Sequence, residues 1–345
     1  MDLSSLPKIL VNFLSYKLNI QGCSALTVKE YSADLCDFLS YALSKAQGKP
    51  KDEVDLNDAD VDFVANLSTD TVYSYLLYLA EVRKNKPATR AKRLSAIKSF
   101  YKYYTSKKLE FEKDPSKNVD SPKLKKALPK FLSLKQSTEL LNSLDRSDPN
   151  YERNFCILIL FLSCGMRLSE LVGINLSDVD SELEKLTVTG KGNKMRTLFL
   201  NDACKSALRQ YLRVRERKVR ENNQIIKDKN ALFLSKQGKR ISQKTVQWFV
   251  KKQFEICGMQ DMGFSVHKLR HTAATLMHGE GKVDVRVLQE ILGHEHLNTT
   301  QIYTHVTSEN LKKATSASPL ASFKPDTKNT VNTSKETKGT DNEDQ

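Results

Sequence analysis

The chain has 345 residues, with 55 Lys and Arg against 41 Asp and Glu, a formal net charge of +14. At roughly 100–200 residues per domain this length predicts two domains, each able to bury a core. A hydrophobic content of 39% with 28% charged residues excludes global disorder. No run reaches the roughly 20 apolar residues of a membrane span, and an acid at position two with no small-residue cleavage site does not read as a signal peptide. The cysteines Cys23, Cys36, Cys156, Cys164, Cys204 and Cys257 form no C-x-x-C pair. That spacing excludes a disulfide framework or a zinc motif, and reduced thiols in a cytoplasmic protein are expected. The positive surplus points to a polyanion, nucleic acid first.

From Leu6 to Leu109 the apolar spacing predicts four helices and no strand. Leu6, Ile9, Leu10, Phe13, Leu14 and Leu18 form the first stripe. Thr27 caps a second helix, with Glu30 completing a capping box and Tyr31, Leu35, Phe38 and Leu39 facing inward. Ser68 or Thr69 opens a third, carrying Val72, Tyr75, Leu76 and Leu79. The fourth starts after Pro87, runs to about Lys107, and buries Leu94, Ile97, Tyr101 and Tyr104. Between the second and third lies the acidic insert KDEVDLNDADVDFVANL. It lacks the glycine and the third acidic position of a calcium loop, so a solvated loop is expected.

Residues 86–130 hold 14 Lys and Arg against 4 Asp and Glu. This surplus covers the fourth helix and a lysine-rich stretch in which Pro115, Pro122 and Pro129 forbid a continuous helix, as in a hinge or linker. A basic helix entering a basic linker suits a backbone that tracks phosphates, with Arg90, Lys92, Arg93 and Lys98 as candidate DNA contacts. The second half opens with a helix capped at Ser133, then a helix around Ile157–Leu162 that is apolar on nearly all sides and so central. Residues 185–200 alternate as two short strands around Gly-Lys-Gly-Asn. Helical patterns return at 203–220, 244–257, 266–277, 283–292 and 299–305. The polar tail from Phe323 is expected to be disordered.

All six histidines lie between His267 and His305. A metal site would use His267 with His271 at i, i+4, but no H-E-x-x-H motif is present, and Arg270 on the same face opposes a cation. A phosphate site uses more of the residues. His267 and Arg270 share a helical face, with Ser265 available as N-cap. Gly293 ends the next helix and presents His294, and Tyr303 follows nine residues later on a short helix. Arg167 stands at the start of the helix after the central one, and Lys191 lies between two glycines at the hairpin tip. Arg209, Arg213, Arg215, Arg217, Lys218 and Arg220 form a second basic run, equally consistent with a solvated face.

Jointly, G-M-R-L-S-E-L, T-G-K-G-N-K, H-K-L-R-H-T and L-G-H-x-x-L-x-T-T-Q-I-Y-T-H-V resemble the tyrosine recombinases, the phage integrase family, in order and spacing. The resemblance runs from about Leu6 to Ser318 and is nearest to the Xer-type members, because the chain starts directly at the four-helix segment. It implies a mainly α fold: a SAM-like core-binding domain at 1–112, a basic linker at 113–130, an α-rich catalytic domain with a small antiparallel sheet at 131–322, and the tail at 323–345. It implies DNA cutting and rejoining through a 3′-phosphotyrosyl intermediate without metal or other cofactor. Tyr303 would be the nucleophile, Arg167 and Arg270 the phosphate clamp, and Lys191 the general acid. His267 would be base or phosphate donor, His294 a phosphate donor, and Glu170 an orienter of the site. The implied partners are a double-stranded recombination site, a homo-tetramer or a hetero-tetramer with a second recombinase, and a DNA translocase that activates it, with no membrane. The stretch after Tyr303 would dock on a neighbouring subunit. Resolution of chromosome or plasmid dimers is the leading function. A mobile-element integrase shares the chemistry; a type IB topoisomerase, a metal-dependent nuclease and a non-catalytic DNA-binding regulator are the other classes.

Overall fold

A computed structural model describes residues 6–108, 110–123, 130–190, 193–221, 225–293 and 308–325. It divides into two units, residues 1–127 and 128–345. In the first, α1 (Lys8–Ser15) runs into a π-helical turn at Tyr16–Ile20, and is followed by α2 (Ala25–Gln47), α3 (Val61–Ala65), α4 (Thr69–Glu81) and α5 (Pro87–Ser106). Ser24, rather than Thr27, caps α2: its Oγ accepts from the Thr27 amide at 3.2 Å, while the Thr27 hydroxyl lies 2.8 Å from the same oxygen. Ser68 caps α4 through the Thr71 amide at 3.2 Å. Pro87 at the first turn of α5 supplies a preset φ where no amide donor is needed.

Aromatic rings fill the core of this unit. Phe13, Phe38, Tyr75, Phe100, Tyr101 and Tyr104 are fully buried, and Phe13 meets Phe100 edge to face at 5.4 Å. Burying a phenol requires a partner for its hydroxyl. Tyr104 donates to the Ile9 carbonyl at 2.7 Å and Tyr101 to the Val64 carbonyl at 3.0 Å, which fastens α5 to α1 and α3. The acidic insert is therefore no mere solvated loop. Its Asp55 and Asp60 cap a 3-10 turn (Leu56–Asp58) and α3, and Ala59 and Val64 reach the core. Acidic residues suit these positions because helix N-termini present unpaired amides. The expected linker also begins later than Lys113. Phe111 stacks on Tyr104 at 4.7 Å and Val119 is buried, so the chain up to Val119 belongs to this core.

In the second unit α6 (Leu134–Asn142) carries a full capping box: the Gln136 amide donates to Ser133 Oγ at 3.2 Å, and the Ser133 amide to Gln136 Oε1 at 2.9 Å. Next come α7 (Tyr151–Cys164), α8 (Leu168–Gly173), the antiparallel strands β1 (Lys185–Thr189) and β2 (Met195–Phe199), and α9 (Asp202–Glu221). They are followed by α10 (Gln243–Ile256), α11 (Val266–Gly279), α12 (Val285–Leu292) and α13 (Ser308–Ser316). Every residue of α7 from Arg153 to Cys164 is buried, and α6, α9 and α11 pack around it. The central position expected from its all-round apolar sequence is where the helix lies. The six cysteines are free thiols. No helix among the described residues is long and apolar enough to cross a membrane.

Residues 308–325 add to the core of this unit. α13 packs on α12 and β2 of its own chain, Leu320 is buried in the main core, and the Ala203 amide donates to the Ala321 carbonyl at 2.8 Å. Phe323, expected to open the loose tail, lies 6.3 Å from the Phe155 ring. Few apolar residues suffice here because they complete a core already built. The tail from residue 326 lies outside the described residues.

One polar cluster ties the N-terminal helices together. The Asp37 carboxylate accepts from the Tyr75 hydroxyl at 2.7 Å, from Arg93 and from Lys51. Burial alone would raise its pKa, but hydrogen bonds from Lys51 and Tyr75 with the charges of Lys51 and Arg93 hold it below the ordinary value. Asp37→Asn is expected to lower stability at pH 7 by about 1–3 kcal/mol. Because the folded carboxyl has the depressed pKa, this deficit is full above the unfolded value of about 4 and fades as pH falls through the folded value. Urea unfolding of both proteins across pH 3–7 measures it; a pH-independent deficit would refute the ionic assignment.

Candidate active site

The site is built where the ends of four helices meet a strand. Helix α7 stops at Gly165, whose φ of +58° is left-handed. A Cβ there would stand 2.7 Å from Cδ2 of Leu292, so only glycine lets the end of α7 meet α12 this closely. Two residues later Arg167 occupies the N-cap of α8 in extended conformation. Glu170, in the first turn of α8, turns back on it. Its Oε2 accepts from the Arg167 amide at 2.7 Å, and its Oε1 from Arg167 Nη1 at 2.8 Å. The Glu170 side chain is fully buried, and it also accepts from Arg196 Nη2 of β2 at 2.8 Å.

Helix α11 supplies His267 and Arg270. Ser265 holds the N-cap position but makes no side-chain capping bond. His267 is exposed, with its ring 4.9 Å from that of His271, whereas Arg270 is buried. Arg270 Nη1 donates to the Gly165 carbonyl at 2.7 Å and its Nη2 to the Leu292 carbonyl at 2.6 Å. Arg167 Nη2 donates to the Gly293 carbonyl at 3.2 Å, and Arg196 Nη1 donates to the Ile291 carbonyl. Three consecutive carbonyls at the end of α12 thus receive three different arginines. Gly293 ends α12 with φ +64°, as the sequence predicts.

This crowding has an electrostatic consequence. Burial, and then the guanidiniums of Arg167 and Arg196, push the pKa of Arg270 down to about 10, with Glu170 opposing. Arg270 stays cationic at neutral pH but in a field that favours an incoming anion. Burial, then His267, Lys268 and Arg270, also lower the pKa of His271. Arg167, His267 and Arg270 line one open cleft with Met166, Ser265 and Phe264, and α10 forms its far wall through Gln243, Gln247 and Lys251. Chemically the cleft offers two planar guanidiniums and an imidazole to a tetrahedral oxyanion.

The Phage integrase family matches residues 130–310, and its N-terminal SAM-like domain matches residues 10–110. The tyrosine recombinase XerC of Caldanaerobacter subterraneus subsp. tengcongensis is 44% identical over 326 residues, covering 93% of this chain and 89% of its own. The chain belongs to the phage integrase family of tyrosine recombinases. Its fold is shared with XerH site-specific recombinase bound to difH substrate in a pre-cleavage complex, at TM-score 0.61 and 22% identity over 89% of this chain and 84% of that one. A lambda integrase tetramer bound to a Holliday junction has TM-score 0.58 and 15% identity, covering 87% and 80%.

Of the residues singled out in this tyrosine recombinase, Arg167, Glu170, His267 and Arg270 come together in one place. Lys191, His294 and Tyr303, with the helix expected at 299–305 and its cap, lie outside the described residues. So do His296 and His305. His278 turns away, its Nδ1 3.1 Å from the Val283 carbonyl. Among the candidate DNA contacts on α5, Arg93 is held by Asp37 and Tyr75 and Lys92 lies 3.3 Å from Glu30. Arg90 and Lys98 are partly buried.

Two features escaped the sequence reading. Gln243, Gln247 and Lys251 recur every four residues, a polar stripe at helical spacing that marks one face of α10. Arg196 shares strand parity with Leu198, so it points toward the core, where an arginine is out of place unless it is bound. A Cβ on Gly293 would stand 2.9 Å from Cδ of this fixed arginine. Gly258, with φ +66°, has nothing within 4 Å of the same position. Gly293→Ala is therefore expected to destabilise more than Gly258→Ala, by about 1–3 kcal/mol of overpacking beyond the shared backbone strain. Thermal unfolding of the two variants checks it, and equal losses would show that Arg196 is free to move.

Proposed function

We propose that this chain cuts and rejoins DNA at specific sites as an Xer-type recombinase, with Tyr303 as nucleophile. The observation that carries the reading is the convergence of Arg167, His267 and Arg270 on one cleft, with both guanidiniums also bound to carbonyls at the end of α12. His294 follows that helix end directly in sequence, and Tyr303 comes nine residues after it.

The Tyr303 phenol oxygen attacks the scissile phosphorus, the P–O5′ bond breaks, and a 3′-phosphotyrosyl enzyme and a free 5′-hydroxyl result. The phenol proton passes to His267, and the departing 5′-oxygen takes a proton from Lys191. In the pentacoordinate transition state charge accumulates on the non-bridging oxygens, where Arg167 and Arg270 hold it through planar forks. His294 donates to the same oxygens, and Glu170 holds Arg167 in its rotamer. The phosphoester conserves the bond energy, so resealing needs no nucleotide cofactor.

The substrate is a duplex recombination site. The stripe of Gln243, Gln247 and Lys251 on the cleft wall supplies groove and backbone contacts beside the scissile phosphate. Four subunits assemble on two duplexes, as in the lambda integrase tetramer on its Holliday junction. The work of such an enzyme is resolution of chromosome or plasmid dimers during partition and cell division in the cytoplasm, and a DNA translocase is the class of partner that activates it.

The test uses a site selected by the wild-type protein from a random-sequence duplex pool, rebuilt as a nicked suicide substrate. Wild type is expected to give a protein–DNA adduct that survives denaturant, and Tyr303→Phe none. Arg167→Ala and Arg270→Ala are expected to slow adduct formation by about 10²–10³-fold. Chelation should leave the wild-type rate unchanged, and a loss with EDTA would favour a metal nuclease. Relaxation of site-free supercoiled plasmid by the wild type would favour a topoisomerase. Absence of any adduct on the selected site would overturn the reading.

A further inference from the structure

We propose that Arg196 is a positioning residue that sets the geometry of the arginine pair from outside the substrate cleft, an inference that rests on the reading above. Arg167 and Arg270 line the cleft that would hold the phosphate, and Arg196 does not. Its side chain opens instead on a separate cavity with Cys164, Phe199, Glu290 and Leu311. Contact between Arg196 and the scissile phosphate is therefore not the source of its role.

What it does hold is the frame. The buried Glu170 carboxylate accepts three hydrogen bonds: two come from Arg167 itself, at 2.7 and 2.8 Å, and the third from Arg196 at 2.8 Å. Arg167 and Glu170 are neighbours on one short helix, so their pairing alone leaves both free to shift together. Arg196 reaches the same carboxylate from β2 and fixes it against a second element. The other arm of its guanidinium donates to the Ile291 carbonyl, next to the carbonyls that receive Arg270 and Arg167. One planar fork thus spans from Glu170 to the end of α12, and fixes the distance between the two supports of the catalytic pair.

The opening of the hairpin is tied to the same point. The Gly190 amide donates to the Lys194 carbonyl at 2.7 Å, and a Cβ on Gly190 would lie 3.4 Å from Glu170 Oε1. Arg196 stands two residues beyond Lys194 and pairs with Val188 across the sheet. The strand that carries Arg196 is thereby docked against the carboxylate that it bonds.

The experiment compares wild type, Arg196→Met, Arg196→Lys and Arg167→Ala on two nicked suicide duplexes of the selected site. One has an ordinary scissile phosphodiester. The other has a methylphosphonate, which carries one negative charge fewer and so depends less on a guanidinium clamp. Arg196→Met is expected to slow adduct formation on the phosphodiester by about tenfold to a hundredfold, the effect of a small misplacement of reacting groups. On the methylphosphonate its deficit should shrink in parallel with that of Arg167→Ala. Arg196→Lys retains the charge but cannot span both acceptors, so it should show an intermediate deficit with the same substrate dependence; it carries the test if Arg196→Met does not fold. Wild-type rates in both variants, or equal fractional losses on the two substrates, would overturn the inference alone. Absence of adduct with wild type would instead overturn the functional reading beneath it.

Discussion

The carboxyl end of α12 is the point on which the site depends. A helix leaves its last carbonyls without partners and concentrates about half a negative charge there. In this chain Ile291, Leu292 and Gly293 meet that need with Arg196, Arg270 and Arg167. Three guanidiniums packed in a largely buried space would otherwise repel one another by about 2–4 kcal/mol for each close pair. The helix end and the Glu170 carboxylate offset that repulsion while leaving the cluster net positive. The result is a cationic socket held in place by the fold, and preorganised charge of this kind costs no reorganisation when an anion is met.

The hydrophobic architecture can be understood as the means of holding that helix end still. Ile291 and Leu292 are buried in a small cluster with Ala273, Met277, Val283, Leu288 and Ala314, which fastens α12 to α11 on one side and α13 on the other. Gly165 lets Leu292 lie against the end of the largely apolar α7. The in-chain packing of α13 follows from the same need. An amphipathic helix joined covalently to its docking site meets it at a high effective concentration, and without it α12 would present apolar residues to water.

Much of this could be read from residue types and spacing because local rules govern helix ends. The caps at Ser68 and Ser133, the proline at the start of α5, the buried run of α7 and the left-handed Gly293 all follow from chemistry within a few residues. The i, i+3 pair of His267 and Arg270 was legible for the same reason. Arg196 was not, because a lone arginine on a short strand acquires meaning only from Glu170 and Ile291, 26 and 95 residues away in sequence. Composition misled at the acidic insert and at the start of the linker. Each looked soluble, yet Ala59, Val64, Phe111 and Val119, few and widely spaced, are enough to fasten both to the N-terminal core.

The basic surplus that first suggests nucleic acid also changes meaning once its neighbours are known. Residues 86–130 carry far more cations than anions, but Arg93 spends its guanidinium on Asp37 and Tyr75, and Lys92 lies within 4 Å of Glu30 and Asp34. An arginine held by a partly buried carboxylate neutralises a phosphate only by giving up that carboxylate, which desolvation makes costly. Such a residue adds little to the counterion release that drives DNA binding, however basic the sequence around it. At the cleft the two guanidiniums are held differently: Arg270 donates to two neutral carbonyls, while Arg167 is divided between the buried Glu170 carboxylate and the Gly293 carbonyl. A carbonyl holds the guanidinium in place without cancelling its charge. Arg270, held by two carbonyls, keeps its charge open to an anion, whereas Arg167 shares the Glu170 carboxylate with Arg196, so that one anion serves two cations.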